Sequence, residues 1–160
     1  MVQGGHDVTV VMTRAATKLV GPITFAALTG RSVATEPWDR ESDVHVEHIH
    51  LADRAEVFVV APATANFLGK AANGIADDML TSTLLAVTCP VLIAPAMNVR
   101  MWKHPAVARN LATVRDIGYE VIEPGAGFLA CGDVGPGRLA EPADILARVE
   151  AALARSPRKS

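Results

Sequence analysis

The segment Val91-Leu92-Ile93-Ala94-Pro95-Ala96-Met97-Asn98-Val99-Arg100-Met101-Trp102 decides the fold class. Val91-Leu92-Ile93 is a short apolar run, rich in β-branched residues, of the length of one buried strand. Pro95 has no N–H to give to a ladder, so the strand should end there. Met97 to Trp102 then combines two thioethers, an amide, a guanidinium and an indole. A turn needs none of that chemistry, whereas in an open α/β sheet the loop beyond a strand's carboxyl end is where ligands sit. Asn98 is therefore the candidate ligand-facing side chain, because its amide offers two donors and a carbonyl acceptor suited to a carboxylate. The competing reading is a turn asparagine that hydrogen-bonds its own backbone. Met97 and Met101 read as packing, since thioethers fill irregular gaps.

The flanking chain repeats the strand–loop–helix logic. Val8-Thr9-Val10-Val11-Met12 reads as a buried strand. From Thr13 to Thr29 the apolar spacing is helical, interrupted by Pro22 and closed by Gly30. Residues 31–46 are polar and irregular, with Trp38 as an anchor, and His48 to Asp53 lead into a strand at Ala55–Ala61. Helices follow to about Ala72, with a turn at Asn73-Gly74, and from Ala76 to Val87, with Asp77 and Asp78 in the first turn. After Val91–Ala94 come a helix from Pro105 to Ile117 and a strand at Tyr119–Ile122. Pro124 to Pro142 reads as a glycine-rich loop, and Pro142 to Ala154 as the last helix. Strand–helix alternation predicts an α/β fold, a parallel sheet covered on both faces. A first strand this early, with nothing before it to cover one face, looks cut short.

Composition narrows the function classes. The 160 residues fit one domain with room for a core, assigned to residues 1–155, with 156–160 as a disordered tail. Half the residues are hydrophobic and the mean hydropathy is +0.26, which for so short a chain predicts surface buried against other subunits. No run approaches the roughly 20 apolar residues of a membrane span, and the opening residues do not form a signal peptide. Fifteen basic and 17 acidic residues are interspersed, with basic residues clustered only at Arg155, Arg158 and Lys159, so nothing points to nucleic acid. Cys89 and Cys131 make neither a disulfide framework nor a zinc site, and a cytoplasmic protein with free thiols is the plain reading.

Three further places carry chemistry. Pro62-Ala63-Thr64-Ala65-Asn66-Phe67 is a second loop after a strand, where small residues let backbone N–H groups approach a ligand and Thr64 and Asn66 add side-chain partners. Its bland alternative is an ordinary helix N-cap. Paired with the loop after the next strand, it becomes one wall of a cleft. His48 and His50 would share a face if extended, with His45 nearby, but no cysteine completes a zinc set and no metal is expected. A single general base is the better reading, and His48 is the candidate. Cys131 lies in a glycine-rich loop where backbone N–H groups or Arg138 could lower its pKa, against the alternative of a packed thiol. The glycines also suit a mobile lid.

Taken together these segments resemble the homo-oligomeric flavin-containing cysteine decarboxylases, and within them the phosphopantothenoylcysteine decarboxylases. The family's Pro-Ala-Ser-Ala-Asn-Thr motif appears as Pro62 to Phe67, its Pro-x-Met-Asn-x-x-Met-Trp motif is complete at Pro95 to Trp102, and its active-site His-Ile-x-Leu matches His48 to Leu51. The clamp of the coenzyme A branch, Ala-Cys-Gly-Asp-x-Gly-x-Gly-Arg, is complete at Ala130 to Arg138. The resemblance covers nearly the whole chain and implies a flavodoxin-like (Rossmann-like) parallel sheet, bound FMN, and a trimer or a dodecamer of trimers with sites between subunits. It implies flavin contacts at Thr13, Arg14, Ala15, Thr64, Ala65, Asn66, Phe67 and Ala96, and substrate contacts at Asn98, Phe128, Ala130 and Leu139. The implied reaction removes CO₂ from 4′-phospho-N-pantothenoylcysteine, with His48 as base, Asn98 on the carboxylate and Cys131 as proton donor. A phosphopantothenate–cysteine ligase is the implied partner activity, on a separate chain. Family members begin with a strand and a glycine-containing loop that helps hold the flavin phosphate. That segment has no counterpart here, and N-terminal truncation is the expectation. Peptidyl-cysteine decarboxylases differ at the clamp, flavin prenyltransferases do not need it, and non-catalytic regulatory relatives keep only part of the set His48, Asn98 and Cys131.

Overall fold

The computed structural model describes residues 1–35, 47–128 and 134–155. The readings placed on Trp38, His45, Ala130, Cys131 and the 156–160 tail lie outside the described residues. In chain order the elements are α1 (Pro22–Thr29), α2 (Glu47–Arg54), β1 (Phe58–Ala63), α3 (Ala65–Asn73), α4 (Met79–Ala86), β2 (Val91–Pro95) and α5 (Val99–Trp102). They continue with α6 (Pro105–Asp116), β3 (Glu120–Val121), β4 (Gly125–Phe128), β5 (Val134–Arg138) and α7 (Pro142–Arg155). The chain forms two compact units, Met1–Arg54 with Ile75–Thr88, and Ala55–Gly74 with Cys89–Ser160.

The second unit holds a parallel sheet of order β1-β2-β3. Phe58, Val59 and Val60 pair with Val91, Leu92 and Ile93, and Leu92 and Ile93 pair in turn with Glu120 and Val121. Every β2 residue is buried, the outcome for a continuous apolar run in a strand with neighbours on both sides. Leu92 and Ala94 pack with Ile145, Val149 and Ala152 of α7, and side-chain alternation turns Val91 and Ile93 to the opposite face. Helices α3 and α6 pack on each other, with Phe67, Leu68 and Ala71 buried on the first and Val107, Leu111 and Val114 on the second. Glu120 accepts from Arg148 at 3.0 Å and Arg155 at 3.2 Å, tying α7 to β3. These pairs are exposed, so they orient the helix more than they stabilise it.

Several boundaries correct the sequence reading. The strand expected at Val8–Met12 makes a single parallel bridge, Val11 with Ala34, supported by Met12 N–H to the Ala34 carbonyl at 2.8 Å and Ala34 N–H to the Val10 carbonyl at 3.0 Å. Among the described residues only Ala34 lies opposite it, so the ladder has one rung. The helix expected over Thr13–Thr29 is a 3-10 turn at Ala16–Lys18 followed by α1. Pro22 starts α1 at its first turn, where its missing N–H costs nothing, and Gly30 closes it at φ 68°. His48 to Asp53, read as leading into the next strand, lie in α2, because His48, Leu51, Ala52 and Ala55 recur at helical spacing with Ala52 fully buried. Asp78 caps α4, its carboxylate accepting from Thr81 N–H at 2.8 Å, while Asp77 precedes the helix. The loop expected over residues 124–142 contains the antiparallel hairpin β4–β5. In the first unit α2 packs against α4.

Leu92 is fully buried in the central strand. Leu92→Ala is expected to cost about 2–5 kcal/mol, read as a lower urea midpoint at unchanged slope.

Candidate active site

The sheet brings the two loops after β1 and β2 side by side. The last pair of the ladder is Ala63 with Pro95. One residue further, Ala96 N–H donates to the Ala63 carbonyl at 3.0 Å. Thr64 caps α3, its hydroxyl accepting from Phe67 N–H at 3.2 Å. Phe67 is 5% exposed and fills the core, whereas the side chains of Thr64 and Asn66 face outward and Ala65 is half-buried. The wall offered to a ligand thus consists of small residues, one hydroxyl and one amide at the start of a helix, where the first N–H groups have no helical partner.

Asn98 caps α5, which the sequence reading did not foresee. Its Oδ1 accepts from Arg100 N–H at 2.7 Å, and its backbone carbonyl accepts from Trp102 N–H at 2.9 Å. This is the local backbone hydrogen bond of the turn reading; it uses the carbonyl end of the amide and sets the direction of the whole group. Asn98 itself is half-buried.

The hairpin approaches the same loop. Gly125 pairs with Arg138, Gly127 with Gly135 and Phe128 with Val134, and Met97 N–H donates to the Gly137 carbonyl at 2.9 Å. Leu139 packs at the edge of the β2–α7 core, and Arg138 pairs with Glu141 at 3.1 Å. Three stretches far apart in sequence, at 62–67, 95–102 and 134–138, thus meet in one unit at the carboxyl end of β1 and β2. Gly137 was read as one glycine of the glycine-rich loop and of the Ala130–Arg138 motif; its bond to Met97 was not foreseen.

Thr13, Arg14, Ala15 and His48 belong to the first unit. Thr13 accepts from Ala16 N–H through its hydroxyl at 3.2 Å and from Thr17 N–H through its carbonyl at 3.1 Å. Arg14 is exposed, its carbonyl accepting from the Thr17 hydroxyl at 3.0 Å, and Ala15 caps the 3-10 turn. His48 is half-buried on α2 and His50 is exposed. Two residues apart on a helix they point about 160° apart, so they do not share the face that an extended chain would have provided.

A family model described as Flavoprotein matches residues 1–154. The coenzyme A biosynthesis bifunctional protein CoaBC of Bacillus subtilis (strain 168) is 53% identical over 150 residues, covering 94% of this chain and 37% of that protein. The chain therefore spans little more than a third of the length of the curated relatives it matches. Among solved structures, the FMN-dependent cysteine decarboxylase SpaF is 42% identical with a TM-score of 0.80, covering 92% of this chain and 78% of its own. A mutant PPC decarboxylase complexed with pantothenoylaminoethenethiol is 33% identical with a TM-score of 0.80, covering 93% and 84%. The expected flavodoxin-like α/β fold is shared with these proteins.

Removal of the α3 cap by Thr64→Ala is expected to cost about 1 kcal/mol in denaturant unfolding, and Thr64→Ser only a few tenths.

Proposed function

The chain belongs to the Flavoprotein family, and on that footing we propose that it catalyses the FMN-dependent decarboxylation of 4′-phospho-N-pantothenoylcysteine to 4′-phosphopantetheine. The observation that carries the reading is the convergence of the three motif stretches, through Ala96 N–H on Ala63 at 3.0 Å and Met97 N–H on Gly137 at 2.9 Å. The names of the relatives support the substrate class: one is a coenzyme A biosynthesis protein and another a PPC decarboxylase.

The donor set fits a flavin. Thr64, Ala65, Asn66 and Ala96 give a wall of small residues with a hydroxyl, an amide and helix-start N–H groups, matched to flat ring edges that carry carbonyls. Phe67 would back this wall from the core, and Thr13, Arg14 and Ala15 would contribute a hydroxyl, a cation and backbone. When bound, FMN supplies a reversible two-electron acceptor for the cysteinyl CH₂–SH group, giving a thioaldehyde beta to the carboxylate that can take up the electron pair left by CO₂.

The protein's own residues position and move protons. His48 accepts the thiol proton as the side chain is oxidised. The Asn98 amide donates to the substrate carboxylate, holding it in the orientation from which the C–C bond breaks. Cys131 donates a proton to the ene-thiol that remains after CO₂ has left. Phe128, Ala130 and Leu139 line the substrate. Residues 1–155 act as one flavoprotein decarboxylase domain, cytoplasmic and assembled as a trimer or a dodecamer of trimers. The exposure of Leu19 (86%), Ile23 (78%) and Leu28 (64%) around α1 supports burial against other subunits. A phosphopantothenate–cysteine ligase activity supplies the substrate.

Incubation with FMN and 4′-phospho-N-pantothenoylcysteine is expected to yield CO₂ and a yellow protein, and a colourless, inert protein would overturn the reading. Cys131→Ser is expected to release CO₂ yet accumulate the oxidised ene-thiol, detected by mass; full turnover to phosphopantetheine by that variant would remove the proton-donor role. For His48→Asn, flavin binding should persist while substrate no longer bleaches the flavin absorbance. Bleaching at the wild-type rate would exclude His48 as the base.

A further inference from the structure

Gly137 takes no part in the roles above, yet of the described glycines it has the least room for a side chain. An ideal Cβ on Gly137 would lie 2.3 Å from the Met97 carbonyl oxygen, 3.4 Å from the Met97 carbonyl carbon and 3.7 Å from that of Asn98. All three are backbone atoms, which cannot swing aside as the tip of a long side chain can. Gly137 also has φ +135°, a conformation that L side chains rarely adopt. Its carbonyl accepts the Met97 N–H at 2.9 Å. Met97 is thus held through its N–H by a hydrogen bond, and its C=O occupies the space that a side chain on Gly137 would fill. Gly135 differs in kind: its ideal Cβ would lie 2.9 Å from Val99 Cγ2, a side-chain contact that trimming Val99 would relieve.

We propose that Gly137 is a positioning residue for Asn98: lacking a side chain, it lets β5 lie against the Met97–Asn98 peptide and fixes the backbone from which the Asn98 amide projects. The proposal rests on the reading of Asn98 as the group that binds the substrate carboxylate. It adds to that reading a physical link between the hairpin and the Asn98 loop, made through backbone alone.

The test uses FMN-loaded protein and five variants: Gly137→Ala, Asn98→Ser, their combination, Gly135→Ala, and Gly135→Ala with Val99→Ala. Serine at 98 retains an oxygen able to cap α5 and removes the amide. Hydrogen exchange at the Met97 amide is expected to be slow in the wild type and fast in Gly137→Ala at unchanged circular dichroism. Equal exchange in both would overturn the proposal, whatever the protein acts on. In turnover, Gly137→Ala is expected to lower kcat for CO₂ release by about tenfold or more with flavin content unchanged. On the Asn98→Ser background the same change is expected to cost less than about twofold. Independent, multiplying losses would overturn the link to Asn98. A wild-type protein that releases no CO₂ would instead overturn the functional reading, and the exchange result would then decide the positioning role. Should Gly137→Ala not fold, Gly135→Ala is expected to speed exchange at Met97 and Val99→Ala to restore it; absence of restoration counts against the proposal.

Discussion

The parallel pairing of β1 with β2 is the constraint from which the site follows. It begins at Phe58 with Val91 and runs to Ala63 with Pro95, and one further hydrogen bond, Ala96 N–H to the Ala63 carbonyl, carries it beyond the strand. Because β2 is buried along its length with a strand on either side, neither loop can slide without breaking a buried ladder, and an unpaired buried N–H or C=O is costly. The chain leaves both strands at the same level. Thr64 and Asn98 can therefore act from adjacent loops although they lie far apart in sequence.

Helix capping and ligand binding are commonly set against each other when a sequence is read, yet a capping bond can also hold a side chain ready for a ligand. Thr64 and Asn98 both spend an oxygen on a backbone N–H of the helix that each begins. That bond fixes the side chain's rotamer, and a fixed rotamer is what a binding group needs if little entropy is to be lost when the ligand arrives. The hairpin adds a second restraint on the same loop through Met97 and Gly137. The restraints on this loop are short-range hydrogen bonds; the ion pairs of Asp7 with Arg31 and of Glu120 with Arg148 lie at the surface and contribute little to stability.

The two units hold apolar side chains differently. In the second, β2 and α7 enclose Leu92, Ala94, Ile145, Val149 and Ala152. In the first, α1 is apolar nearly all round and buries none of its residues. A helix of that composition ordinarily lies within a core or an interface, which fits the surplus of hydrophobic residues in so short a chain.

What the amino-acid order settled by itself is everything that short-range pattern encodes. Val91–Ile93 followed by Pro95 marked the central strand, Pro105 and Gly118 bracketed α6, Gly74 ended α3, and Thr64 was legible as a helix N-cap. The misreadings share a cause. α2 was hidden because His48 and His50 drew attention to an extended pattern while Leu51 and Ala52 carried the helical one. The strand at Val8–Met12 had the right composition, but a ladder needs an opposing strand, and among the described residues it meets a single bridge partner, Ala34. The β4–β5 hairpin, rich in glycine and without apolar alternation, left no periodic trace. Only the tertiary structure decided that Ala63 meets Ala96 and that Gly137 leaves room for Met97. Such contacts depend on backbone atoms brought together by the sheet, and no side-chain pattern along the chain records them.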